Sequence, residues 1–210
     1  MVKLAGPCFS QEASGKLGGA LVFSRWKGRA YARSLVTPAN PQSGSQTGRR
    51  AMWAFLAQEW AALGSTEKAS YEAMAESLSI SPFNAFLRYN QRRWNTWKAP
   101  AQAYPAAESD TLPVLGALTA VGGTRSAQIT QAVTTPNDGW AVAFFRSPTG
   151  TFDTAISNLV AVLPIAGTAD VVLVDSPLDP GTYYYDTRAI SIQGKLGDET
   201  GEVATNPVVA

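Results

Sequence analysis

Apolar residues recur at three- and four-residue spacing over residues 45–63. Met52, Phe55, Leu56, Trp60 and Leu63 share one side, which predicts an amphipathic helix stopped by Gly64. A second helix is predicted from a Ser65/Thr66 cap, with Tyr71, Met74, Ala75 and Leu78 on one face. A third opens with Ser81 as cap and Pro82 at its first position, and Phe83, Phe86, Leu87, Asn90, Trp94 and Trp97 line its stripe. Upstream, residues 14–24 and 30–36 read as the strands of a hairpin turned through residues 25–29, and the Pro- and Gly-bearing residues 37–46 read as an extended arm. Beyond Leu112 the pattern changes to short runs with turn residues between them. Strands are predicted at 114–121, 125–133, 140–146, 158–165, 169–175, 182–192 and 201–208. That number and spacing suit an immunoglobulin-like β-sandwich.

The fold class that follows is α+β in two domains. Residues 1–98 form a basic anchoring domain, made of a hairpin, an arm and a small three-helix bundle. Residues 99–112, rich in Pro and Ala, are a semi-extended linker, and residues 113–210 are an all-β sandwich. Charge follows the same division. Residues 1–100 hold 13 Lys/Arg and 5 Asp/Glu, whereas residues 101–210 hold 4 and 11.

The absence of histidine and the single cysteine, Cys8, exclude a His general base, a Ser-His-Asp or Cys-His pair, a His/Cys zinc site and a disulfide within the 210 residues. There is no Walker loop, dinucleotide fingerprint or nucleophile elbow. No catalytic, cofactor-binding or metal residues are therefore nominated, and no enzyme activity is expected. Cys8 follows a short apolar start with Pro7 before it, which does not fit a lipoprotein signal. The longest apolar runs, at 159–166 and 171–174, are far below the roughly 20 residues that span a bilayer, so no membrane partner is expected. The carboxylates Asp170, Asp175, Asp179, Asp186, Asp198, Glu199 and Glu202 read as a solvated face, because Asp198, Glu199 and Glu202 match no calcium-loop spacing.

Three resemblances add to this. The ordered set Ser14-Gly-Lys-Leu-Gly18, Val22-Phe23, Lys27-Gly28-Arg29, Arg33, Asn40-Pro41, Gln46, Arg50, Trp60-x2-Leu63, Asn84-Ala85-Phe86 and Asn90 resembles a group of uncharacterised bacteriophage and prophage proteins taken to be virion-associated. It implies a non-enzymatic particle component made in the host cytoplasm and located in the virion. Such a component would be a head-associated decoration or a vertex or minor capsid protein, with capsid or connector subunits and further copies of itself as partners. The stretch Leu178-Asp-Pro-Gly-Thr-Tyr-Tyr-Tyr-Asp-Thr-Arg-Ala-Ile190 is similar to the sixth strand of fibronectin type III domains. It implies that Tyr183 is a corner tyrosine bonded to upstream backbone, that Tyr185, Thr187 and Ala189 face inward, and that the sandwich projects, with host-surface glycans as possible ligands. The spacing Trp60-x2-Leu63-x3-Glu67-Lys68-x2-Tyr71-x3-Ala75 resembles two helices of a high-mobility-group box, whose implication would be DNA binding. A tail-associated adhesion protein is the other alternative. On these readings Arg25, Trp26, Arg29, Arg33, Arg49, Arg50, Arg88 and Arg92, with Trp94 and Trp97 at the end of the third helix, form the expected partner interface.

Overall fold

The chain divides after Pro41, not at residues 99–112. In the computed structural model, which describes residues 2–3, 14–26, 29–37 and 42–205, one unit is Met1–Pro41 and the other Gln42–Ala210.

The first unit is a four-stranded antiparallel sheet of β1 (Val2–Lys3), β2 (Gly15–Leu17), β3 (Leu21–Trp26) and β4 (Arg29–Ser34), in the order β1-β4-β3-β2. The expected hairpin is β3–β4, paired from Trp26↔Arg29 to Leu21↔Ser34. What reads as one glycine-led strand is two, because Gly18 adopts φ +58° and turns the chain so that Leu17 pairs with Leu21. Cys8, Lys27, Gly28 and residues 38–41 of the expected arm lie outside the described residues.

The second unit begins with α1 (Gly44–Ala62), α2 (Ser65–Ser70), α3 (Glu72–Leu78) and α4 (Pro82–Asn95). Ser81 caps α4 as its sequence predicts, accepting from the Asn84 N–H at 3.2 Å. Gly64 is not a left-handed stop: Leu63 leaves α1 in extended conformation, and Gly64 is the residue preceding α2. The expected second helix is interrupted at Tyr71, whose fully buried side chain donates to the Ala101 carbonyl at 3.0 Å.

Eight strands follow: β5 (Val114–Gly123), β6 (Ser126–Thr135), β7 (Gly139–Ser147), β8 (Leu159–Pro164), β9 (Val171–Asp175), β10 (Tyr183–Ser191), β11 (Leu196–Glu199) and β12 (Val203–Thr205). They form two antiparallel sheets, β5-β6-β9 and β8-β7-β10-β11, with β12 also on β10. The protein is α+β. β11 lies between the last two expected strands, where no strand is predicted, and residues 206–208 of the last expected strand lie outside the described residues. Ile129, Val133, Val142, Phe144, Leu173 and Tyr185 fill the space between the sheets.

A second core lies on the other face of the larger sheet. Ala143, Phe145, Val162, Ile190 and Trp140 share one buried cluster with Met52, Phe55, Leu56, Phe86 and Trp94 of the helices. Phe55 and Trp140 approach to 5.0 Å between ring centroids, and the Trp140 indole N–H donates to Glu59 at 2.9 Å. The helices are therefore a layer covering the sandwich, not a separate bundle. Residues 99–112 do not act as a linker either. Ala101 exchanges two bonds with the Asn90 side chain, at 2.8 and 3.0 Å, Gln102 N donates to Ile192 O at 2.8 Å, and Glu108 N to Gln193 O at 3.2 Å. They form a strap that lies over α4 and is bonded to the end of β10.

Helix α1 reaches this position through two glycines one turn apart. A Cβ on Gly48 would run into the Ile156 carbonyl oxygen, and one on Gly44 into that of Ser157. Alanine is favoured over glycine in a helix by about 1 kcal/mol, but overpacking against backbone costs about 1–3 kcal/mol. Gly48→Ala is expected to lower the urea unfolding midpoint despite its better helix propensity, whereas Ala54→Gly, on the exposed side of α1, would lower it by propensity alone. A stabilised Gly48→Ala protein would contradict the close contact.

Candidate functional site

The residues expected to meet a partner are distributed over three elements. Arg25, Arg29 and Arg33 are exposed on the N-terminal sheet, and Trp26 lies in β3. Arg49 and Arg50 are exposed in the first turns of α1, where the Arg49 Nε donates to Asn95 at 3.1 Å. Arg88 and Arg92 lie on the exposed side of α4. The two tryptophans do not belong with them. Trp94 is fully buried, and half-buried Trp97 stacks between Trp94 at 5.2 Å and Phe145 at 5.9 Å, beneath the Arg188 guanidinium. Their surplus of aromatic surface is taken up by the protein's own sandwich, so both are removed from the expected partner interface.

Arg93, which no motif singled out, holds the strap. Its Nε donates to Ala99 O at 2.7 Å, and its Nη2 donates to both Gly194 O and Glu108, each at 2.8 Å. One planar fork thus joins α4, the strap and the β10–β11 turn.

The carboxylates are not a uniform solvated face. Asp175 and Asp186 are buried. Asp175 receives Arg146 at 2.6 Å and the Tyr185 hydroxyl at 2.9 Å, which ties β7 and β10 to β9 across the sandwich. The tyrosine that fastens this corner is therefore Tyr185, bonded to a carboxylate. Tyr183, expected in that role, is half-buried with the Arg146 guanidinium over its ring at 5.4 Å. Alternation turns both inward, but Tyr185 is the one within reach of Asp175. Burial, reinforced by Asp175, pushes the Tyr185 hydroxyl far above its usual range. Tyr185, Thr187 and Ala189 are all buried, as their spacing predicts.

Asp186 faces the opposite way. Its Oδ1 accepts from Thr187 N at 2.6 Å, Thr200 N at 3.1 Å and Gly201 N at 3.2 Å, closing the β11–β12 turn. Burial raises its carboxyl above the ordinary value. Glu199 accepts from the Thr154 hydroxyl at 2.7 Å and from Arg188 at 2.9 Å, and these donors hold its carboxyl down to about 2. Each group serves a turn or a strand junction. Among the described residues no group of three His, Cys, Asp or Glu could hold a metal ion. A shallow cleft of about 290 Å³ beside the strap is lined by Glu67, Gln102, Pro105, Ile192 and Gln193, with no second titratable group facing Glu67.

No family model matches the chain, and no curated protein matches it. Among solved structures, a β-1,2-glucanase from Parabacteroides distasonis aligns with 48% of this chain at 18% identity and TM-score 0.35, and the chain spans 14% of that enzyme. An Fn3-like protein from Clostridium thermocellum aligns with 48% of this chain and 96% of its own, at 18% identity and TM-score 0.33. A PKD domain of an M14-like peptidase from Thermoplasmatales archaeon SCGC AB-540-F20 aligns with 47% of this chain and 98% of its own, at 16% identity and TM-score 0.32. Each likeness covers about half of this chain.

Glu199 makes the acid limb of stability testable. Its folded pKa lies below the ordinary 4.5, so the stability it adds is complete above about pH 4.5 and is lost as pH falls toward 2. Asp186, raised by the fold, works in the opposite sense. Denaturant titrations between pH 7 and pH 2.5 are expected to show a shallower acid loss for Glu199→Gln than for the wild type, from a lower plateau at pH 7. An unchanged acid limb would contradict the assignment.

Proposed function

We propose that this chain is a non-enzymatic structural protein of a bacteriophage particle, a head-associated decoration or a vertex or minor capsid component. The observation that carries the reading is the N-terminal sheet. None of its residues 14–25 and 29–37 is buried. A sheet of this size needs a packed layer on at least one face to offset the entropy of ordering it. It is therefore an element whose cover comes with assembly, which is what an anchor on a neighbouring subunit requires. The anchor is narrower than residues 1–98, since the helices are committed to the sandwich core.

The helix-covered sandwich is the projecting body. Its β5-β6-β9 sheet against β8-β7-β10-β11 supports a fibronectin type III-like reading of that domain. Host-surface glycans are candidate ligands of its free loops. Leu63, Tyr71 and Ala75, which carry the likeness behind the DNA-binding alternative, are buried and Trp60 packs against Phe83 and Phe86, so these residues serve the core on either reading.

The test is recovery of the protein in gradient-purified particles at a fixed ratio to the major capsid protein. Residues 14–37 should be cut by protease in the free protein and protected in the particle. Absence from particles, with tight binding to duplex DNA that collapses as salt rises, would replace this reading by the nucleic-acid one.

A further inference from the structure

Two sheets of this protein each expose a face rich in apolar residues. In the N-terminal sheet, pairing of Leu17 with Leu21, of Phe23 with Ala32 and of Arg25 with Ala30 places Leu17, Leu21, Phe23, Ala30 and Ala32 on one side, with Arg25 and Ser34 toward its ends. Leu17 is 55% exposed and Leu21 38%. Lys16, Arg29 and Arg33 alternate onto the other side, which they share with Val22, Ser24, Trp26 and Tyr31.

The counterpart is the outer face of β5-β6-β9. Register aligns Val121 with Gln128 and Val174 in one row, and Thr119 with Thr130 and Val172 in the next. Val121, Val172 and Val174 are 67%, 44% and 64% exposed, and none of the six residues is charged. Solvated sheet faces and edges ordinarily carry lysine or glutamate that discourage pairing, and an uncharged β-branched face lacks that protection. The surroundings are complementary in sign. Residues 1–41 hold six Lys/Arg and one Glu, whereas residues 42–210 hold eleven and fifteen. Exposed Asp170 precedes β9 and exposed Asp179 follows it.

We propose that the apolar face of the N-terminal sheet in one copy packs on the Val121/Val172/Val174 face of a second copy, sheet on sheet at about 10 Å. Each copy offers one surface of each kind, so the contact is heterologous and propagates head to tail into a ring or an open filament. This deepens the structural role proposed above by naming a second copy of the chain as the anchor's first neighbour.

The test uses full-length protein in sedimentation equilibrium over a range of concentrations. The wild type is expected to exceed the mass of a dimer. Leu17→Lys/Leu21→Lys and Val172→Lys/Val174→Lys change exposed side chains, and each variant should be monomeric at concentrations where the wild type is assembled. Circular dichroism and the thermal transition of the sandwich should be unchanged in both. Mixed, the two variants should form a 1:1 heterodimer that does not grow, because only one intact surface of each kind remains. That outcome holds even if the leucine variant loses its N-terminal sheet, since it contributes only its valine face. A monomeric wild type, a mixture that stays monomeric, or loss of association in the valine variant alone would each overturn the proposal. The last would instead indicate a symmetric dimer through two valine faces. Failure of the chain to appear in particles would remove the particle role and leave this contact standing, and the reverse is equally readable.

Discussion

Ala143, Phe145 and Ile190 lie on the face of the larger sheet that points away from its partner sheet, and Trp140 joins them. Left in water, that face would expose an apolar area that a monomeric sandwich rarely tolerates. The helices exist in their observed positions because they cover it. Phe55 meets Trp140 and Trp97 meets Phe145, while glycines 44 and 48 allow α1 to approach the backbone of residues 156–157. The strap then closes the polar side of the same junction. The Arg93 fork and the Asn90–Ala101 pair satisfy backbone groups that burial would otherwise leave without partners. Burying a fully packed Phe or Leu side chain is worth about 1.5–3 kcal/mol, so the covered face is a major part of what stabilises the unit.

This arrangement decides where an assembly surface can be. Trp94 and Trp97 would be available to a partner only if the helices formed a bundle of their own, and they do not. Once they are spent inside the unit, the association proposed above falls to the N-terminal sheet and to the outer face of β5-β6-β9. The charge division takes on a new meaning as well. Arg93 and Arg188, from opposite sides of the charge division, serve the internal junction, while Arg29 and Arg33 lie in a sheet whose residues 14–25 and 29–37 include no buried one.

The local elements were legible because their signals are local. Ser81-Pro82 starts α4, and the turn residues after Thr135, Ser147 and Ser176 separate the strands. The third dimension was misread at residues 99–112. A Pro- and Ala-rich stretch looks like a spacer, and its bonds to Asn90, Arg93 and residues 192–193, the longest from Gln102 to Ile192, link positions far apart in sequence that no local pattern reports. One signal was present and went unused. Trp140-Ala-Val-Ala-Phe-Phe145 is continuously apolar where a half-solvated strand would alternate, and that is the pattern of a strand covered on both faces. The bond across the sandwich falls to Tyr185 and not to Tyr183 because of where Asp175 sits in the facing sheet, which no local pattern reports. The buried roles of Asp175 and Asp186 were hidden for the same reason.

Native-state hydrogen exchange is the most direct measurement of the central claim, that helices and sandwich form one cooperative body from residue 44 to residue 205. The most protected amides of α4, such as Leu87 and Asn90, and those of β7, such as Val142 and Phe144, should open with one common free energy and one common denaturant dependence. Exchange of the α4 amides through a cheaper opening with a shallower denaturant dependence, while β7 stays protected, would mean that the helices are an independent domain resting on the sandwich, and would contradict the account.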